Sequence, residues 1–208
     1  MSKPIGYTIT LVRTGGTSWD DESRLIGRTD LPMTDQGSDQ VARAIHEYEF
    51  PGAFSMILVS DEEASQRTAR MLPQNGDTKV KTVTELSNVD LGLWEGVLAS
   101  DLQERSPSTH AQWTEHPERI SPPEGESLAD AQDRLLTTIE KSLAKCKGTN
   151  PNIAIVLRPL AWAVARCWLS GAQVGSIWTQ LEQPNTLEHF HVMKSAFEER
   201  KQSSRASA

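Results

Sequence analysis

Residues 11–20 read Leu-Val-Arg-Thr-Gly-Gly-Thr-Ser-Trp-Asp. Together with Tyr7-Thr-Ile-Thr before it, the apolar, β-branched run over residues 7–13 reads as a buried strand that stops at Arg13 and breaks into a Gly15-Gly16 turn. A cation at the carboxyl end of a strand, followed by glycines whose N–H groups are unobstructed, can hold a phosphate or another small anion. Ligands of open α/β sheets bind beyond the carboxyl ends of the strands, so one segment points both to a layered α/β fold and to its site.

Working outward, Phe54-Ser-Met-Ile-Leu-Val-Ser60 and Asn152-Ile-Ala-Ile-Val-Leu157 repeat the short apolar pattern of central parallel strands, and two further strands are expected at 80–86 and 186–192. Val41, Ala44, Ile45 and Tyr48 recur at helical spacing over 35–48, and residues 61–72 follow the second strand as another helix. Ser127-Leu-Ala-Asp130 opens a helix with the stripe Leu128, Ala131, Leu135, Ile139 and Leu143. The alternation is that of βαβ units, which predicts a three-layer α/β/α sandwich with a mostly parallel central sheet. Its carboxyl edge brings Arg13, Ser60 and Arg158 into one region.

The stretch 104–125, with Pro107, Pro117, Pro122, Pro123 and Gly125, reads as an irregular insertion over the strand ends. Residues 1–197 are expected to form one domain and the polar residues 198–208 a solvated tail, since 208 residues fall below the size at which cores usually split. The six tryptophans read as core and lid packing, with Trp113, inside the proline-rich stretch, the candidate for exposure as a contact surface.

A formal charge of −7 and the lack of a basic run argue against nucleic acid or a membrane surface as partner. The first residues lack a signal-peptide core and no stretch reaches the length of a membrane span, so a cytoplasmic location is expected. Cys146 and Cys167 lack metal-ligand spacing and read as reduced, buried thiols. His189 and His191 share a strand face without a third ligand, and no metal or other cofactor is expected. His46, His110 and His116 lie in a helix or in the irregular stretch.

Five anchors in order carry a family resemblance: LVRTGGTSW; Gly27-Arg-Thr-Asp-Leu-Pro-Met-Thr34 with Gly37 and Gln40; Ser60 to Ala69, SDEEASQRTA; Leu86-Ser-Asn-Val-Asp-Leu-Gly-Leu-Trp-Glu-Gly96; and Gly125-Glu-Ser127. In this order they resemble the histidine phosphatase (phosphoglycerate mutase-like) superfamily over residues 5–195. The resemblance implies a mechanism in which a histidine attacks phosphorus, two arginines and a second histidine hold the phosphoryl oxygens, and a carboxylic acid protonates the leaving oxygen. Matched residue by residue, Thr14 stands at the nucleophile, Ala64 at the second arginine, Asn88 at the glutamate and Arg158 at the second histidine. Arg13 alone is retained.

Each replacement has its own physics. The Thr14 hydroxyl has no histidine or lysine beside it in the motif to take its proton. Asn88 cannot serve as an acid, Ala64 brings no charge, and Arg158 is permanently protonated. Loss of a nucleophile costs on the order of 10⁶ in turnover. The expectation is a degenerate member that acts by binding a small phosphorylated or other anionic ligand through Arg13, Gly15, Gly16 and Arg158, or by binding a protein partner or a second copy of itself. The alternative is a weak phosphatase or mutase with Thr14, Thr17 or Ser18 as nucleophile. Asp61-Glu62-Glu63 or Asp20 is expected to neutralise Arg13 or Arg158 and plug the site, against the alternative of free guanidinium groups around an anion. Arg67 reads as solvent-facing, with a reach back toward Ala64 as the alternative.

Overall fold

In the computed structural model, which describes residues 5–206 and their side chains as far as Arg200, the strands are β1 (Gly6–Arg13), β2 (Met56–Val59), β3 (Lys79–Thr82), β4 (Asn152–Leu157) and β5 (Leu187–Met193). They form one sheet in the order β3-β2-β4-β1-β5. β3, β2, β4 and β1 are parallel, with Arg13 beside Leu157, and β5 runs antiparallel along β1. The helices are α1 (Ser18–Asp21), α2 (Asp35–Glu47), α3 (Glu63–Met71), α4 (Ala99–Arg105), α5 (Pro107–Glu115), α6 (Leu128–Leu143), α7 (Pro159–Leu169), α8 (Ile177–Leu181) and α9 (Lys194–Ala206).

Alternation along the central strands builds two cores. Ile153, Ile155 and Leu157 of β4 face α6 and α7, where Leu135, Ile139 and Trp162 are buried, whereas Ala154 and Val156 face Phe54, Ala69 and the α2 residues Ala44 and Ile45. β4 lies at the centre, so the chain leaves β1, β2 and β4 side by side at their carboxyl ends. The α/β fold with a mostly parallel sheet is as the sequence predicts.

Three segments depart from expectation. β3 stops at Thr82 and residues Thr84–Leu86 form a turn of 3-10 helix. Proline-bearing 104–125 is largely helical: Pro107 occupies the start of α5, where a missing N–H costs nothing. Trp113 is 2% exposed, packed edge-to-face between Trp94 and Trp178, and its carbonyl accepts a 2.8 Å bond from the Trp178 indole. Residues 198–206 continue α9, and Arg200 folds back to Asp133 and Thr137 of α6; residues 207–208, like Met1 to Pro4, lie outside the described residues.

Candidate functional site

Arg13 ends β1 and lines a cleft of about 280 Å³ with Thr14, Gly16, Asp20, Gln36 and Gln40. Its Nη1 donates to the Leu181 carbonyl at 3.0 Å, and its guanidinium lies 5.1 Å from the centre of the Trp162 ring. Burial pulls the Arg13 pKa below the usual guanidinium value, and the Asp20 charge opposes that shift. Asp20 is not a direct partner, because its carboxylate is held by Thr17, whose N–H and hydroxyl donate to it at 2.5 and 2.8 Å.

Thr14 donates its backbone N–H to Leu157, while its Oγ1 is buried and makes no hydrogen bond among the described residues. Gly16 lines the cleft, whereas Gly15 is packed against Gly37 and Met33, and neither has the left-handed backbone of an anion nest. The bare Gly15 position therefore has a packing cause.

Arg158 sits at the cap of α7 with no exposed surface, and its Nε, Nη1 and Nη2 have no hydrogen-bond partner among the described residues. The charge run after β2 divides. Asp61 accepts from the Thr84 hydroxyl and Glu63 from the Met33 N–H, but Glu62 turns inward, accepting from Ser60 Oγ at 2.7 Å and the Asn88 N–H at 3.4 Å. Burial drives the Glu62 carboxyl above its ordinary range, against the pull of Ser60 and the Arg158 charge. Of the carboxylates expected to neutralise the arginines, Glu62 is thus the one whose charge acts on Arg158, and it does so without a hydrogen bond to the guanidinium.

A carboxyl whose folded pKa is raised binds its proton more tightly in the folded chain than in the unfolded one. Its contribution to stability is complete below the unfolded pKa and is lost as pH rises through the folded value. Glu62→Gln is accordingly expected to flatten the fall of melting temperature with pH above the ordinary carboxyl range. A fall as steep as that of the wild type would contradict the placement.

Asn88 is fully buried. Its Nδ2 donates to the Ile26 and Gly27 carbonyls, both at 3.0 Å, and its Oδ1 accepts from the Ala161 N–H at 3.0 Å. All its side-chain groups tie one loop to the first turn of α7. Ala64, in the first turn of α3, is absorbed into an apolar cluster with Met33 and Val41. Arg67 does not reach back: it donates to the Met33 carbonyl at 2.9 Å and approaches Asp35 at 3.7 Å. On β5, His189 bonds Tyr48 and His191 meets Thr8 of β1, and no cluster of His, Cys, Asp and Glu among the described residues could hold a metal ion.

A second cleft of about 170 Å³, not anticipated from the sequence, adjoins the first at Asp20 and Pro159 and has mostly apolar walls, Trp113, Trp178 and Leu160 among them. Its residues come from segments 20–26, 88–91, 113, 159–160 and 178–181, so only the folded chain assembles it. None of the five histidines lines either cleft.

A mostly parallel sheet with an arginine at the end of its first strand and a cleft beyond is the scaffold of this chain, which belongs to the histidine phosphatase superfamily (branch 1), whose family model matches residues 9–199. It is 22% identical over 171 residues to phosphoserine phosphatase 1 of Hydrogenobacter thermophilus, covering 82% of this chain and 80% of that one. It is 26% identical over 186 residues to a probable phosphoglycerate mutase of Salmonella choleraesuis, covering 84% and 86%. Among solved structures, Bacillus stearothermophilus YhfR superposes with a TM-score of 0.76 at 21% identity, covering 89% of this chain and 95% of that one. Phosphoglycerate mutase of Thermus thermophilus gives 0.59 at 26% identity, covering 81% and 86%.

Proposed function

We propose that this protein is a non-catalytic member of its superfamily, one that holds a small anionic ligand in the cleft beside Arg13 and does not transfer a phosphoryl group. The observation that carries this reading is the Thr14 hydroxyl, buried at the nucleophile's position with no base in contact and no histidine lining the cleft. Asn88 and Ala64 add to it, since both are committed to packing and hydrogen bonding inside the fold. Arg13 supplies the attraction for an anion, with Gly16 beside it. Binding a protein partner or a second copy is the weaker form of the proposal, because the arginine-lined cleft favours a small ligand. Two buried free thiols accord with the cytoplasmic location that accompanies it.

The competing phosphatase reading has one feature in its favour, the Thr17 hydroxyl bonded to the Asp20 carboxylate. Thr17 has no exposed surface, however, which keeps its oxygen from a substrate. Incubation with an aryl phosphate, combined with a search for an acid-labile phosphoryl adduct, separates the two. Turnover below about 0.1 s⁻¹ and no adduct are expected, and faster turnover would overturn the proposal.

A further inference from the structure

We infer that the ligand is an organic monoanion, a carboxylate carried on an apolar or aromatic body, and not a phosphomonoester dianion; this rests on the non-catalytic reading above. The two adjoining clefts supply the two halves of such a molecule. The inner one is walled by Leu25, Leu91, Leu160, Leu181, Trp113 and Trp178. The outer one holds Arg13, and Leu181, whose carbonyl Arg13 binds, belongs to the apolar wall. A head on the guanidinium and a body among the leucines and tryptophans therefore lie within one small molecule.

The choice of head group follows from charge. A phosphomonoester carries about −1.5 to −2 at neutral pH. Among the described residues lining the outer cleft, Arg13 is the single cation, and it stands with two carboxylates, Asp20 and Asp21. The second-arginine position is Ala64, buried among apolar neighbours. Arg158 shows no guanidinium nitrogen to solvent and lies under the influence of Glu62. Arg24, at the inner cleft, is engaged by Glu22 at 2.5 Å and by the Gly96 carbonyl at 2.7 Å. With one guanidinium against two carboxylates, every negative charge a ligand brings meets repulsion, so a monoanion held by direct contact with Arg13 is opposed less than a dianion, whose second charge finds no cation. Among the described residues, Nη1 is the one Arg13 nitrogen that hydrogen-bonds the protein, which leaves Nε and Nη2 for the two oxygens of a carboxylate. Apolar area removed from water in the inner cleft supplies the remaining attraction.

Calorimetric titration of the whole chain with phenylacetate, phenylacetamide and phenyl phosphate tests this, the three sharing a ring and differing in head-group charge. Phenylacetate is expected to bind about tenfold tighter than the uncharged amide, the range of one charge-assisted contact, and tighter than phenyl phosphate. Arg13→Gln should erase the advantage of phenylacetate over phenylacetamide, and Leu25→Trp, which fills the inner cleft, should weaken both. Melting curves of each variant show whether it is folded, and the wild-type comparison of three ligands stands without any variant. Tighter binding of phenyl phosphate, equal binding of acid and amide, or no saturation at millimolar concentration would each overturn the inference. Phosphate release from phenyl phosphate in the same samples would instead overturn the non-catalytic reading, so the two failures are distinguishable.

Discussion

Asn88→Ala is expected to lower stability by about 3–5 kcal/mol, about 10 °C or more in melting temperature for a chain of this size. The side chain has no exposed surface and satisfies the carbonyls of Ile26 and Gly27 together with the N–H of Ala161. Truncation leaves all three without a partner, and each such orphan costs about 1–3 kcal/mol, least at the partly open Ile26 side. Asn88→Asp is informative in the same series. It keeps an acceptor for Ala161 but turns an anion toward two carbonyl oxygens, so it should be at least as damaging as alanine. Denaturant unfolding of the two variants checks this, and a loss below about 1 kcal/mol for Asn88→Ala would show that the tie contributes little. Asn88, which the resemblance places at the family's proton donor, serves here as a structural tie, and Asn88→Asp should show that an acid cannot simply be put there.

Gly15→Ala should cost about 2–4 kcal/mol, whereas Gly16→Ala should stay within about 0.5 kcal/mol. An added methyl at Gly15 would come within 2.5 Å of the Met33 sulfur and nearer still to the Gly37 carbonyl oxygen, while at Gly16 its nearest neighbour would be Asp20 Cβ at 3.6 Å. Gly37 is backbone in the first turn of α2, so relief requires moving a helix. The approach is mutual, since a methyl at Gly37 would lie 2.5 Å from the Gly16 carbonyl oxygen. Equal unfolding midpoints for the two alanine variants would refute the packing account. The same pair speaks to binding: because Gly16→Ala leaves the fold intact, any loss of anion affinity in that variant belongs to the cleft.

The strands at 7–13, 54–60 and 152–157 were legible because buried parallel strands are continuous apolar runs, and the site's location followed from where those runs end. Periodicity failed where other terms decide. Pro107 reads as a breaker but begins α5, because the first turn of a helix needs no N–H from it. The burial of Trp113 depends on Trp94 and Trp178, residues brought near by the fold and by no local pattern. The polar composition of 198–200 hid the anchoring of Arg200 on α6. At the site, Arg13, Thr14 and Arg158 were legible from the strand ends, but their surroundings were not. The Leu181 carbonyl, the Trp162 ring and the three backbone groups around Asn88 lie 61 or more residues away from the side chains they meet, and the backbone groups carry no side-chain signature. Glu62 had a signal in the run Asp61-Glu62-Glu63, although nothing in the run told which of the three turns inward.

The stacking of Trp113 between Trp94 and Trp178, with its carbonyl bonded to the Trp178 indole, fastens the α5 wall of the inner cleft to α8. A wall pinned in that way is expected to stay in place, so a ligand should reach the inner cleft without a closing step. Association should then follow diffusion, with rates proportional to concentration and a single relaxation, and residence time should be set by the grip on the ligand alone.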